Sequence, residues 1–229
     1  NETALRNTSF AWDRGPDGSV AVDIETTGSC GDVTSAFTHN HQYVISPDGT
    51  VAVKNTIHVS DRMPELPRIG IRLVLPSGLE RLAWYGRGPH ESYCDRKAGA
   101  PVGRYKGTVT GQYVPYILPQ ENGNKTDVRW ICLSDDDGLG VLFVADGVLE
   151  ASAQHFTADD LFAAFHTNEL TMRPEVYLHL DYMQRGLGGA SCGPDTLEKY
   201  LVRPGDYSFS LTIRPVRTGD DPGRVARGL

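Results

Sequence analysis

The chain has 229 residues, of which 39% are hydrophobic and 22% charged, with a formal net charge of −7. That length makes one large domain or two small ones and can bury a core without crosslinks. The acidic balance argues against a nucleic-acid partner, and no apolar run approaches the length of a membrane span.

The start, NETALRNTSFAWD, lacks the basic stretch and apolar core of a signal peptide, and it opens on Asn1 instead of Met. Processing, or excision from something longer, is expected. Strand candidates follow at Val20 to Ile24, Gln42 to Ile45 and Val51 to Val59, with PDG turns at Pro16 and Pro47. The Pro-rich stretch Met63 to Ile69 reads as a loop between strands. Beyond it Ile69, Ile71, Leu73 and Leu75 alternate with Gly70, Arg72 and Val74. Leu82 to Tyr85 is a further strand, and it runs into the first of three crowded segments, Trp84 to Arg96 (WYGRGPHESYCDR). The second segment is Pro115 to Asp127, PYILPQENGNKTD. Val128, Trp130 and Cys132 then share one face of a strand, and Val141 to Val144 follows the DG turn at Asp137. Helix is scarce. Its best candidate runs from Thr157 to Phe165, with Thr157 as N-cap and Asp160 completing a weak capping box. Val176, Leu178, Leu180 and Tyr182 face one way, and Tyr177, His179 and Asp181 the other. This strand opens the third crowded segment, Tyr177 to Thr196, YLHLDYMQRGLGGASCGPDT. Tyr207, Phe209, Leu211 and Ile213 repeat the two-residue period, and from Arg217 onward it is lost. The expected fold is all-β: one large antiparallel two-sheet sandwich over residues 1–216, with an irregular, fraying tail at 217–229.

No GxSxG, HExxH or P-loop is present. His39 and His41 form a pair without a third ligand at useful spacing, and Asp135 to Asp137 reads as a solvated hairpin turn, so no metal site is expected. Cys30, Cys94, Cys132 and Cys192 form no CxxC pair, which favours free thiols and a cytoplasmic setting. Sequons at Asn1, Asn7 and Asn124 are too short to argue for secretion. Glu91 and Glu121 are the loop carboxylates best embedded among Gly, Pro and aromatics. Each suits either the carboxylate pair of glycoside hydrolysis or a structural role, accepting hydrogen bonds from loop amides. Tyr93, Tyr113, Tyr116, Asn122, Asn124, His179, Tyr182, Gln184 and Arg185 supply the flat faces and planar amides that sugar recognition uses. The glycines of Gly186 to Gly193 imply a sharply turning backbone.

Three motifs in order, Tyr85 to Arg96, Tyr113 to Trp130 and the MQRGLGG run with its CGPDT extension, resemble the C-terminal domain of the large, LacZ-like β-galactosidases of glycoside hydrolase family 2. The resemblance covers roughly Leu66 to Val216 well and the start of the chain loosely. It implies a supersandwich related to the galactose mutarotase fold. It also implies a parent that hydrolyses terminal β-D-galactosides such as lactose with retention of configuration. The catalytic glutamates would lie in a separate TIM barrel, so no residue of this chain is expected to be catalytic and the chain alone is expected to be inactive. Its partners would be a β-galactoside, that barrel and the parent's other domains, in a likely homo-oligomeric family pattern. The parent family often uses magnesium and sodium, for which no ligand set is visible here. By the same resemblance Glu121 and Asn122 are the polar tip of a loop at the active-site mouth. Cys192 stands where some members place a Trp against the sugar. Glu91, Tyr93, Arg96 and Met183 support the loops. Two rivals remain at this stage: an independent aldose 1-epimerase, pairing Glu121 with His155, His166 or His179, and a carbohydrate-binding or structural module without chemistry.

Overall fold

Runs of alternating β-branched and aromatic residues, broken by PDG and DG turns, give eleven antiparallel strands in the computed structural model, which describes residues 3–189 and 192–228. They are β1 (Thr3–Arg14), β2 (Val20–Cys30), β3 (Val33–Ile45), β4 (Val51–Val59), β5 (Arg68–Leu75), β6 (Arg81–Arg87) and β7 (Val102–Thr108), then β8 (Lys125–Ser134), β9 (Gly140–Gln154), β10 (Val176–Gln184) and β11 (Asp206–Val216). The all-β antiparallel expectation is borne out. β1 and β7 are strands that the alternation did not reveal.

The hydrogen-bonded order is β1-β2-β3-β4-β11-β9-β8-β6-β7, and a second branch adds β10 and β5 to β9. β9 belongs to both layers. Its first half pairs with β11, from Gly140 to Ala145, and its second half pairs with β10, from Glu150 to Gln154. The strand turns between them at Asp146–Val148, where Gly147 adopts φ +93°, a conformation open to glycine without steric cost. β8 bends alongside at Asp127, whose φ is +54°. The Asp127 carboxylate is held there by Arg87 Nε at 2.5 Å and Lys97 Nζ at 3.1 Å.

The core fills the space between the layers. Val53, Ile57, Leu82, Trp84, Ile131, Leu133, Phe209 and Leu211 from the large sheet meet Ile69, Val176, Leu178 and Leu180 from the small one. A second cluster, Trp130, Cys132, Leu142 and Val216, lies on the opposite face of the large sheet. It is covered by Val225 and Ala226, in and just after the short helix α2 (Pro222–Val225). Asp221 caps α2 and pairs with Arg104 at 2.8 Å. The tail expected to be irregular therefore contains a turn of helix packed on the sheet.

Two side-chain assignments change. Val128 was expected to share a face with Trp130, but a register shift between them places Val128 in the main core and Trp130 in the outer cluster. Tyr182 was expected to face the core with Leu180. A shift between Asp181 and Met183 turns Tyr182 outward and packs Met183 against the core instead. Such bulges add one residue to one strand and invert every later side chain.

Candidate functional site: a polar cleft on the small sheet

The outer face of the small sheet is polar because its register makes it so. On β10, His179 lies beside Arg72 of β5 and Ser152 of β9; Asp181 lies beside Gly70 and Glu150; Gln184 lies beside Arg68. Along β9, Glu150, Ser152 and Gln154 alternate with the core residues Leu149, Ala151 and Ala153. This face is the floor of a cleft of about 500 Å³, walled by Pro67, Phe156, Leu161 and Leu187 and edged by Glu121, Asn122 and Arg185. Leu161 is presented by α1 (Ala158–Ala163), where Thr157 and Asp160 form the reciprocal capping box read in the sequence.

Arg68 organises the floor. Its Nη1 donates to His179 Nδ1 at 3.0 Å and to Asp181 Oδ2 at 3.1 Å, and its Nη2 donates to Glu121 Oε2. A guanidinium only donates, so His179 Nδ1 is an acceptor and the ring proton sits on Nε2. Burial first, then Arg68 and Arg72, hold His179 neutral, down at about 3. Burial pushes Asp181 up to about 7 against the pull of Arg68, with Glu121 and Glu150 adding repulsion. Glu150 is raised to about 7 by burial, although Asn124 Nδ2 donates to it at 2.7 Å. Lys125 is buried beneath the loop, donates to Gly123 O at 2.9 Å and is lowered to about 8 by burial.

The loop carboxylates fall into distinct roles. Glu91 accepts from Arg96 Nη2, from the Tyr116 hydroxyl and from Gly123 N, the last at 2.8 Å. It is a clamp that ties two loops together. Tyr93 is buried beneath Arg96, whose Cζ lies 5.2 Å from the ring centroid. Burial, with Glu121 and Glu91 nearby, raises the Tyr93 phenol. Asn122 was expected at the exposed tip with Glu121, but it is only 1% exposed. Its Oδ1 accepts from Val114 N and Gln154 Nε2, and its Nδ2 donates to Gln120 O, so the amide is consumed by the loop. Met183 supports the core rather than a loop. Cys192 is exposed in a turn closed by its own N–H to Gly189 O at 3.0 Å, and the cleft lining does not include it. Its immediate predecessors, residues 190 and 191, lie outside the described residues.

Of the histidines named with Glu121, only His179 shares its cleft. His155 is bound to Glu80 Oε2 and Glu175 O, both at 2.9 Å, and His166 to Glu169. His179 is a poor proton carrier because its Nδ1 is occupied and its ring is neutral, and Glu121 is ion-paired to Arg68. Arg68, Glu150, Ser152, Gln154 and Asp181 were missed as site residues. The polar alternation of Glu150, Ser152 and Gln154 was the available signal. Among the described residues no group of three or more His, Cys, Asp or Glu is arranged to hold a metal, so the magnesium that the resemblance implies has no such ligand set here. The four cysteines are unbonded, and no helix among the described residues is long and apolar enough to cross a membrane.

The family profile described as beta galactosidase small chain matches residues 2–213. A beta-galactosidase of Priestia megaterium is 37% identical over 76% of this chain and 17% of its own length. One of Arthrobacter sp. is 39% identical over 65% of this chain and 15% of its own length. The chain thus spans about a sixth of the curated relatives it matches. Among solved structures, a GalM/aldose epimerase homologue from C. elegans covers 92% of this chain and 69% of that one, with a TM-score of 0.43 and 11% identity. With a profile match running from β1 into β11, this chain belongs to the β-galactosidase small-chain family.

Proposed function

We propose that this chain works as the small-chain domain of a larger β-galactosidase, and that it shapes access to the sugar without supplying either catalytic carboxylate. The parent would hydrolyse terminal β-D-galactosides of the lactose type with retention of configuration. The observation that carries the structural half of this reading is the apolar rim of the cleft. The loops that bring Glu121 and Leu161 to the cleft also expose Ile117 and Phe162, each 91% exposed. Phe165 and Leu197 add to them. Large apolar side chains held in water on rigid loops suit burial against another surface. In this reading that surface is the catalytic TIM barrel, with the Cys192 turn toward the sugar's outer side.

The engaged states of Glu91 and Glu121 support a non-catalytic role for this domain, since both already serve as ion-pair acceptors. A cytoplasmic setting fits the unbonded cysteines. Homo-oligomerisation, and any magnesium or sodium, would belong to other parts of the parent. The test is hydrolysis of a nitrophenyl β-D-galactoside. The chain alone should show no turnover. The longer polypeptide should lose most of its activity when this domain is deleted and regain it when the chain is added back. Substantial turnover by the chain alone, or full activity without it, overturns the proposal.

A further inference from the structure

The cleft floor holds several polar groups that the fold does not use. Ser152 Oγ, His179 Nε2, Gln184 Nε2 and Glu121 Oε1 all belong to residues that line the cleft, and none has a hydrogen-bond partner among the described residues. Folding normally pairs polar groups in such surroundings with protein or water. Ser152 and His179 are direct cross-strand partners, so their free groups sit side by side. Arg68 fixes the His179 tautomer, which makes Nε2 a donor of set orientation. Across from these groups stand the apolar surfaces of Pro67, Phe156, Leu161 and Leu187.

We propose that this cleft is itself a binding site for a neutral polyhydroxylated ligand of monosaccharide size, separate from the parent's hydrolytic centre. The volume of about 500 Å³ suits one pyranose ring. Neutrality follows from the charges, which are already matched: Arg68 faces Glu121 and Asp181, and Arg185 faces Asp195 at 2.8 Å and Glu65 at 3.7 Å. A charged ligand would have to break one of these pairs. A hydroxyl donates and accepts at once, so one ring of hydroxyls can accept from His179 and Gln184, donate to Glu121 and pair with Ser152. The C–H face of the ring then meets the apolar wall. The site binds without proton transfer, because His179 has no free acceptor nitrogen and Glu121 is held by Arg68.

The test is an NMR titration of this chain with D-galactose, D-glucose and myo-inositol into the millimolar range, where a few net hydrogen bonds place such affinities. Saturable shifts should appear at Ser152, His179 and Gln184 for at least one of these ligands. S152A removes a hydroxyl that no protein group uses, and H179Q keeps an acceptor for Arg68 while losing the Nε2 donor. Each should weaken binding about fivefold to tenfold with the folded spectrum retained. Absence of saturation with all three ligands, shifts confined to other parts of the chain, or unchanged affinity in both variants overturns the site. Tighter binding of galacturonate than of galactose overturns its neutrality. Free monosaccharides are not cleaved and no barrel is present, so a negative result here leaves the domain's role in hydrolysis to be judged by its own assay.

Discussion

Arg68 makes three bonds at once, to His179, Asp181 and Glu121, and it is the point at which the buried floor and the exposed loop become one structure. Asp181 is only 2% exposed, so its carboxylate depends on that guanidinium for solvation. Glu150 has no such partner. It accepts from an uncharged amide, and burial raises it from 4.5 to about 7 while Lys97 and Arg68 pull weakly the other way. The folded chain therefore holds this proton more tightly than the unfolded chain. The stabilising contribution is complete below about pH 4.5 and is lost as pH rises through 7. The shift corresponds to about 3 kcal/mol at most. Glu150→Gln keeps the acceptor for Asn124 and removes the titration. Relative to the parent sequence it should gain stability steadily between pH 5 and 8 in urea melts, about 2 kcal/mol across that range. A difference that stays flat with pH would show that Glu150 is ionised at no cost.

At the level of elements, the bends in β8, β9 and β10 decide where the chemistry goes. Alternation correctly put Ile69, Leu178, Phe209 and Leu211 in the core. It failed at Val128 and Tyr182, because a bulge shifts the two-residue period and a bulge depends on the neighbouring strand. The helix at Thr157 was legible down to its cap, since a capping box is a local bond pattern. Close approach of strands also left a sequence mark. Gly70 faces Asp181, and a Cβ there would lie 2.6 Å from both Asp181 Cα and Leu180 O, neither of which can move away. Gly70→Ala should cost about 3 kcal/mol in urea unfolding and loosen the β5–β10 register. Gly99→Ala, where the nearest atom is His90 Nε2 at 4.0 Å, should change stability by less than about 0.5 kcal/mol. Equal effects at the two sites would rule out the steric account.

For the whole molecule, the cleft and its rim have different owners. The floor is built by the chain's own register, while Ile117 and Phe162 project from its loops into solvent and pack against nothing in this fold. A double change, Ile117→Asp with Phe162→Asp, should leave the chain's urea midpoint within the equivalent of about 0.5 kcal/mol. In the longer polypeptide it should lower the melting temperature and weaken recovery of activity by added chain. Marked destabilisation of the chain alone would mean that the rim belongs to its own core. The sequence by itself determined the antiparallel class, the α1 cap, the core faces of most strands and, through three ordered motifs, the family. These are written in local periods and short contiguous runs. Only the tertiary structure decided that Asn122 is consumed by its loop and that Arg68, over fifty residues from Glu121, joins it to His179 and Asp181. Those contacts are set by strand pairing across distant segments, and one chain read in order carries no measure of that pairing.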